Sequence, residues 1–195
     1  MTRHFYYMHQ FNINRRNIVD NLIPLSLVAL GTIARFLPHL PNFSPIAAMA
    51  LFGGVYLPKR SALILPVIAL LISDIFLGLY QPILMIFVYS SFLLCAILGL
   101  WINKHKKWYT ILGSAVIASC IFYIFTNFAV WAFTSWYVKT LAGLIECYVA
   151  ALPFFRNTLI GDIFYVSALF GAYELIRAWF LRKSTSVQYV MREKS

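Results

Sequence analysis

Residues 82–102 read PILMIFVYSSFLLCAILGLWI, an apolar run without a charged side chain. A helix needs about 20 apolar residues to cross the hydrocarbon core of a bilayer, so this run predicts a membrane-spanning helix. Further apolar runs lie before and after it along the chain. They occupy residues 22–40, 44–57, 61–80, 108–133 and 158–181. We therefore predict an all-α membrane protein, a bundle of about six transmembrane helices.

The composition excludes an ordinary soluble domain. The chain has 195 residues, of which 62% are hydrophobic and 11% are charged. Soluble domains carry about 25% charged residues, so this chain has too few charges to cover a water-exposed surface. The net charge of +10 does not indicate a nucleic-acid partner, because the basic residues stand in short clusters between the apolar runs, as charges that orient a membrane protein do. We expect membrane lipids, and no nucleic acid, as partners.

Two segments depart from the pattern of full-length spans. Residues 44–57 are short for a crossing and contain Gly53 and Gly54. This is compatible with a tilted or half helix, a re-entrant segment or a crossing through a thinned bilayer. In residues 138–152, apolar side chains recur at helical spacing between polar ones, which predicts an amphipathic loop helix before the last span, lying on the surface or capping the bundle. A seventh, poorly spanning segment is the alternative.

The distribution of basic residues predicts the orientation. With six crossings, four basic clusters fall on one side of the membrane, and the opposite loops hold little beyond Lys139 and Arg156. The clusters are Arg3, Arg15 and Arg16; Lys59 and Arg60; Lys104, Lys106 and Lys107; and Arg177, Arg182, Lys183, Arg192 and Lys194. By the positive-inside rule, both termini are cytoplasmic. We expect a multi-pass protein of the cell (inner) membrane, with a cytoplasmic segment over residues 1–21, a transmembrane domain over 22–181 and a basic cytoplasmic tail over 182–195.

The polar side chains of the apolar runs converge toward the outer face of the predicted bundle. A charge inside hydrocarbon costs at least about 2.5 kcal/mol on insertion scales, so such residues usually mark a pathway or a binding site. Arginine suits the recognition of carboxylate or phosphate, while aspartate and asparagine supply hydrogen bonds or bind a cation. The candidate substrate-binding residues are Arg35, His39, Asn42, Asp74, Asn127, Trp131, Arg156, Asn157 and Asp162.

A structural interpretation of the same cluster stays open. Arg35 with Asp74, or Arg156 with Asp162, would form ion pairs that let charges lie inside a helical bundle. The two arginines would instead reach the outer headgroups if their side chains snorkel. In either case these residues would serve the architecture and not a binding site.

No catalytic motif is present in the sequence. There is no Walker A loop, so the chain does not hydrolyse ATP by that mechanism, and there is no HExxH or CxxC motif. Cys95, Cys120 and Cys147 lack the spacing of metal ligands. We expect no enzyme activity, no catalytic residue, no metal and no cofactor.

Four motifs carry a resemblance to known proteins. They are Arg35–Gly54 (RFLPHLPNFSPIAAMALFGG), Ser73–Gly78 (SDIFLG), Thr126–Trp131 (TNFAVW) and Cys147–Asp162 (CYVAALPFFRNTLIGD). Through them, residues 22–175 resemble an uncharacterised family of small bacterial integral membrane proteins described as candidate transport proteins, which has no established substrate. The architecture is also similar to the substrate-binding (S) components of energy-coupling factor (ECF) transporters, six-helix proteins that capture vitamins or metal ions from outside.

This resemblance implies a function and partners. S components depend on a separate transmembrane coupling protein and two ATPases, which fits the missing ATPase motif. The leading hypothesis is a membrane transport protein that binds a small polar or anionic solute from the outer side. Two alternatives remain: a structural membrane subunit without a ligand, and a membrane enzyme that acts on a lipid or headgroup substrate through Asp74, His39 and Asp162.

Overall fold

Every regular element in the described part of the chain is helical, as expected where apolar segments must satisfy their own backbone hydrogen bonds. The computed structural model describes residues 18–38 and 40–193. Its elements are a π-helical turn, Ile18–Leu22, and then α1 Ile23–Ala34, α2 Ile46–Tyr56, α3 Lys59–Leu77, α4 Pro82–Asn103, α5 Trp108–Phe133 and α6 Leu141–Glu193. The predicted all-α class is confirmed. The basic residues Arg3, Arg15, Arg16 and Lys194, and the candidate site residue His39, lie outside the described residues.

Four helices are long and apolar enough to cross a membrane. They are α3, α4, α5 and the Leu141–Phe180 part of α6. The other apolar helices are shorter, Asp20–Ala34 and Ile46–Tyr56. At 1.5 Å per residue α2 is about 16 Å long, roughly half the thickness of the hydrocarbon core. These lengths and compositions are those of a membrane-embedded protein.

The short helix α2 is the centre of the bundle and contacts each of the other five helices. Ten of its eleven residues, Ile46–Val55, are buried. Its sequence, IAAMALFGGVY, permits this because it carries no charge and because its small side chains let neighbouring helices approach closely. A helix that is surrounded by protein does not have to match the thickness of a bilayer. Of the alternatives for residues 44–57, the structure therefore favours the half helix.

Helices α2 and α4 cross in direct backbone contact. A Cβ atom built on Gly54 would lie 2.7 Å from Cα of Gly99, and a Cβ atom built on Gly99 would lie 2.9 Å from Cα of Gly54. Only glycine at both positions allows this approach. The sequence pattern Ser91–Cys95–Gly99 predicts a stripe of small contact residues on α4, and this is confirmed because all three residues are buried.

The helix predicted within residues 138–152 is continuous with the last span. Helix α6 begins at Leu141 and passes through Pro153 without a break, although proline removes one backbone hydrogen bond. Its apolar face is exposed, as shown by Ile145 at 56% and Val149 at 57%, while Cys147 on the other face is 2% exposed. The amphipathic pattern thus reflects a face turned away from the bundle, where lipid would cover it, and not a face packed on the bundle.

Contacts between distant segments distinguish the two ends of the bundle. At one end, which we call the basic end, the Tyr56 hydroxyl donates to Oε1 of Glu174 at 2.8 Å, and Nζ of Lys106 lies 3.8 Å from the centroid of the Tyr56 ring. At the opposite end, which we call the polar end, Nδ2 of Asn157 donates to the carbonyl oxygen of Pro41 at 3.1 Å. Each end brings together the helix ends and loops that an alternation of six helices would place there.

Candidate functional site

A cavity of about 320 Å³ lies toward the polar end, beside the first turn of α2. Ligand pockets usually have volumes of about 300–1,000 Å³, so this cavity has room for a small solute. Its polar lining consists of Arg35, Asn42, Ser44, Tyr80, Thr158 and Asp162. Its apolar lining consists of Ile46, Ala47, Leu70, Leu77, Val88, Phe92 and Phe122.

Arg35 follows α1 directly and binds the end of α3. Its Nη2 atom lies 2.6 Å from Oδ1 of Asp74, and its Nη1 atom donates to Oγ of Ser73 and, at 3.5 Å, to the carbonyl oxygen of Leu70. The Tyr89 hydroxyl donates to Oδ2 of Asp74 at 2.9 Å. Both carboxylate oxygens of Asp74 are therefore engaged, and the Arg35–Asp74 ion pair that the sequence suggested is confirmed.

Asp162 lies in the cavity wall and is 2% exposed. Its Oδ2 atom accepts a hydrogen bond from Oγ of Ser119, on α5, at 2.6 Å. The other suggested ion pair, Arg156 with Asp162, is absent from the described residues, and the side chain of Arg156 is exposed. No arginine or lysine of the described part of the chain neutralises Asp162 by a direct ion pair.

The link 41–45 places the first turn of α2 at the cavity wall. Asn42 adopts a φ of 62°, a left-handed conformation that asparagine tolerates better than most residues. The Phe43 ring packs on Tyr165 of α6, with 5.4 Å between ring centroids. Oγ of Ser44 is buried without a hydrogen-bond partner among the described residues, and no side chain caps the start of α2. This wall therefore retains hydrogen-bonding groups that a ligand could satisfy.

Two further hydroxyls complete the polar lining. Tyr80 lies between α3 and α4, where burial, and after it the carboxylate of Asp74, raises the pKa of Tyr80 to about 12. A tyrosine phenol is protonated at neutral pH, so Tyr80 can donate a hydrogen bond. The Thr158 hydroxyl donates to the carbonyl oxygen of Phe154 at 3.0 Å, which leaves its lone pairs able to accept. The lining offers one guanidinium, one carboxylate and several hydroxyls for the recognition of a polar molecule.

The structure brings only part of the predicted set to the cavity. Arg35, Asn42 and Asp162 line it. Asp74 forms the ion pair with Arg35, and Asn157 donates a hydrogen bond to Pro41 in the link 41–45.

The remaining candidate residues lie elsewhere. Nδ2 of Asn127 donates to the carbonyl oxygen of Tyr123 at 2.8 Å, and Nε1 of Trp131 donates to the carbonyl oxygen of Val138 at 3.1 Å. Neither side chain lines the cavity, and neither does that of Arg156. A direct part in binding for these three residues finds no geometric support, and the place of His39 falls outside the described residues.

Several residues of the site were not predicted. Ser44, Tyr80 and Thr158 line the cavity. Ser119 donates a hydrogen bond to Asp162, and Tyr89 donates one to Asp74. A serine or tyrosine within an apolar run gives no signal of its own, and Ser119 is 43 residues away from Asp162 along the chain. Only the packing of α5 on α6 reveals that contact. Among residues 18–38 and 40–193, no group of three His, Cys, Asp or Glu side chains could hold a metal ion.

Comparison with known proteins gives one match. The model of a family of unknown function, DUF6580, matches residues 15–186, which is most of the chain. No curated protein and no solved structure matches the chain. The expectation of an uncharacterised family is confirmed, and the description of that family specifies no substrate.

Proposed function

The chain belongs to the family of unknown function DUF6580, and we propose that it is a membrane transport protein that binds a small polar solute in the cavity at the polar end. The observation that carries this proposal is a cavity of about 320 Å³ lined by both Arg35 and Asp162 inside an otherwise apolar bundle. Ionisable groups at such depth usually face a pathway or a binding site, because placing them against hydrocarbon is costly.

The geometry supports binding more directly than it supports a scaffold alone. A purely structural cluster would be expected to satisfy its own hydrogen bonds, since unpaired buried polar groups are costly. Here the wall at the start of α2 contains the unpartnered Oγ of Ser44 and has no side-chain cap, as judged on the described residues. A bound solute would supply the missing partners.

The second candidate function is a structural membrane subunit without a ligand. It is favoured by the Arg35–Asp74 pair, whose charges compensate each other at 2.6 Å without any solute. It leaves the cavity and the carboxylate of Asp162 without a role, and for that reason we place it second.

The proposed sidedness follows from the basic residues. Lys59, Lys106 and Arg177 belong to the basic end, which the positive-inside rule places in the cytoplasm. The cavity would then face the outside of the cell membrane. By resemblance to ECF S components, a transmembrane coupling protein and ATPases would supply the energy for release on the inner side.

Filling the cavity should remove the bound solute. We expect mass spectrometry of small molecules that co-purify with the protein to detect a species in the wild type and in Ile86→Trp, and to miss it in Val88→Trp. Val88 lines the cavity, whereas Ile86, on the same helix, is 59% exposed, so the two variants carry the same large side chain in different places. Equal small-molecule content in both variants, with unchanged helical circular dichroism, would contradict a binding role of the cavity.

Cysteine labelling in intact cells should test the orientation. We expect a membrane-impermeant maleimide to label Ser135→Cys, at the polar end, and to leave Lys104→Cys, at the basic end, unlabelled until the cells are opened. The wild type provides the background from its own cysteines, of which Cys95 and Cys147 are buried and Cys120 is half-buried. The reverse labelling pattern would place the cavity on the cytoplasmic side and would refute capture from outside.

A further inference from the structure

We propose that the solute carries an ammonium group and that Asp162 is its counter-ion. This inference rests on the proposed function and specifies the chemical class of its ligand. It narrows the broader expectation of a polar or anionic solute.

The balance of charge in the cavity favours a cation. Of the described residues that line it, only Arg35 and Asp162 carry a formal charge. The guanidinium of Arg35 is already neutralised by Asp74 at 2.6 Å, so Asp162 is the ionisable lining residue that has no charged partner among the described residues. Ionising a carboxyl group that is 2% exposed is costly, and a bound cation would offset that cost.

The hydrogen bonds around Asp162 also favour an ammonium group. Ser119 satisfies Oδ2 of Asp162, while the described residues provide no hydrogen bond to Oδ1. Two further lining oxygens can accept, namely Oγ of Ser44, which has no partner, and Oγ1 of Thr158, whose proton is used by Phe154. A primary ammonium has three N–H donors and no acceptor, so it can donate to Asp162, Ser44 and Thr158, whereas an anion cannot donate to them.

The rest of the lining suits the body of such a solute. Phe92 and Phe122 pack with 5.2 Å between ring centroids, and both face the cavity together with Leu70 and Val88. Aromatic and aliphatic side chains bury hydrocarbon, and aromatic faces attract cations. An anionic solute would find no uncompensated positive side chain among the described lining residues.

A titration with three probes of similar shape tests the charge class. The probes are n-butylammonium, n-butanol and butyrate, titrated calorimetrically into the full-length protein in lipid nanodiscs in sodium-free buffer. We expect heat of binding from n-butylammonium alone, with at least a tenfold weaker affinity in Asp162→Asn. Glu146→Gln is the matched control, because Glu146 lies on the same helix but is exposed, and it should bind as the wild type does.

Several results would overturn the inference. The first three are tighter binding of butyrate than of n-butylammonium, wild-type affinity for n-butylammonium in Asp162→Asn, and no heat of binding with n-butylammonium. The fourth is displacement of n-butylammonium by sodium chloride at a concentration below that of n-butylammonium itself. That result would assign Asp162 to an inorganic cation. Thr158→Val is a second test that keeps the carboxylate of Asp162, and it should weaken the binding of n-butylammonium several-fold. If Val88→Trp removes the co-purifying solute but butyrate is the probe that binds, the cavity remains the binding site. Only the inference that the solute carries an ammonium group is then wrong.

Discussion

Gly99→Ala and Gly54→Ala are expected to be strongly destabilising although each adds a single methyl group. The new Cβ atom at Gly99 would overlap the carbonyl oxygen of Leu51 and lie 2.9 Å from Cα of Gly54, and the one at Gly54 would overlap the carbonyl oxygen of Ala96. The obstructing atoms belong to the backbone, so no change of rotamer relieves the overlap and α2 must move away from α4. Overpacking of this kind costs about 1–3 kcal/mol, and we expect about 3 kcal/mol because α2 contacts every other helix.

Thermal unfolding of the purified protein in detergent measures this effect, with Gly113→Ala and Gly171→Ala as controls. A Cβ atom at either control position would meet nothing within 4 Å, so these variants should unfold at the wild-type temperature or slightly above it. The double variant Gly54→Ala/Gly99→Ala should lose less than the sum of the two single losses, because one substitution already separates the helices. If Gly99→Ala unfolds at the same temperature as Gly113→Ala, the close crossing of α2 and α4 is wrong.

Asp74→Ala is expected to lower the free energy of unfolding by about 3–5 kcal/mol, the usual cost of leaving one partner of a buried ion pair without the other. Arg35 would keep its place against α3 with no carboxylate to neutralise it, and the Tyr89 hydroxyl would lose its acceptor. The double variant Arg35→Met/Asp74→Leu should recover most of the stability, since apolar side chains of similar volume often replace a buried pair at little cost. Arg177→Met is the surface control, because Arg177 is 45% exposed beside Glu174, and exposed pairs contribute about 0–1 kcal/mol.

This double variant also separates architecture from binding. If the Arg35–Asp74 pair contributes to the site as well as to the fold, Arg35→Met/Asp74→Leu will be stable but will lose the co-purifying solute. A stable double variant that retains the solute would assign the pair to architecture alone. An Asp74→Ala variant as stable as the wild type would contradict the buried ion pair itself.

The sequence predicts those parts of the molecule that depend on local patterns. An uncharged run such as 82–102 is unambiguous, and its counterpart in the structure is α4 at Pro82–Asn103. Charged residues in apolar surroundings stand out in the same way, and so Arg35, Asp74 and Asp162 can be identified from the sequence alone. Their cost in hydrocarbon is a property of each residue by itself.

Features that depend on packing between distant segments could not be predicted. The hydropathy of residues 44–57 left their membrane topology open, because burial by protein and burial by lipid require the same apolar side chains. Likewise, an apolar stripe such as Leu141, Ile145 and Val149 has the same periodicity whether it faces lipid or the bundle. Predicting the Ser119–Asp162 contact requires knowledge of how α5 packs on α6, and the spacing of the two residues along the chain does not provide it.

The central place of α2 has a consequence for biosynthesis. Ribosomes make this helix second, yet the helices that surround it include α4, α5 and α6, which are made later. Helix α2 is too short to span the bilayer alone. Until those later segments leave the translocon, it lacks contact with most of the helices that surround it. Assembly must therefore be completed after translation of the last helix, and a ribosome that stalls before α6 would leave a chain for membrane quality control to degrade.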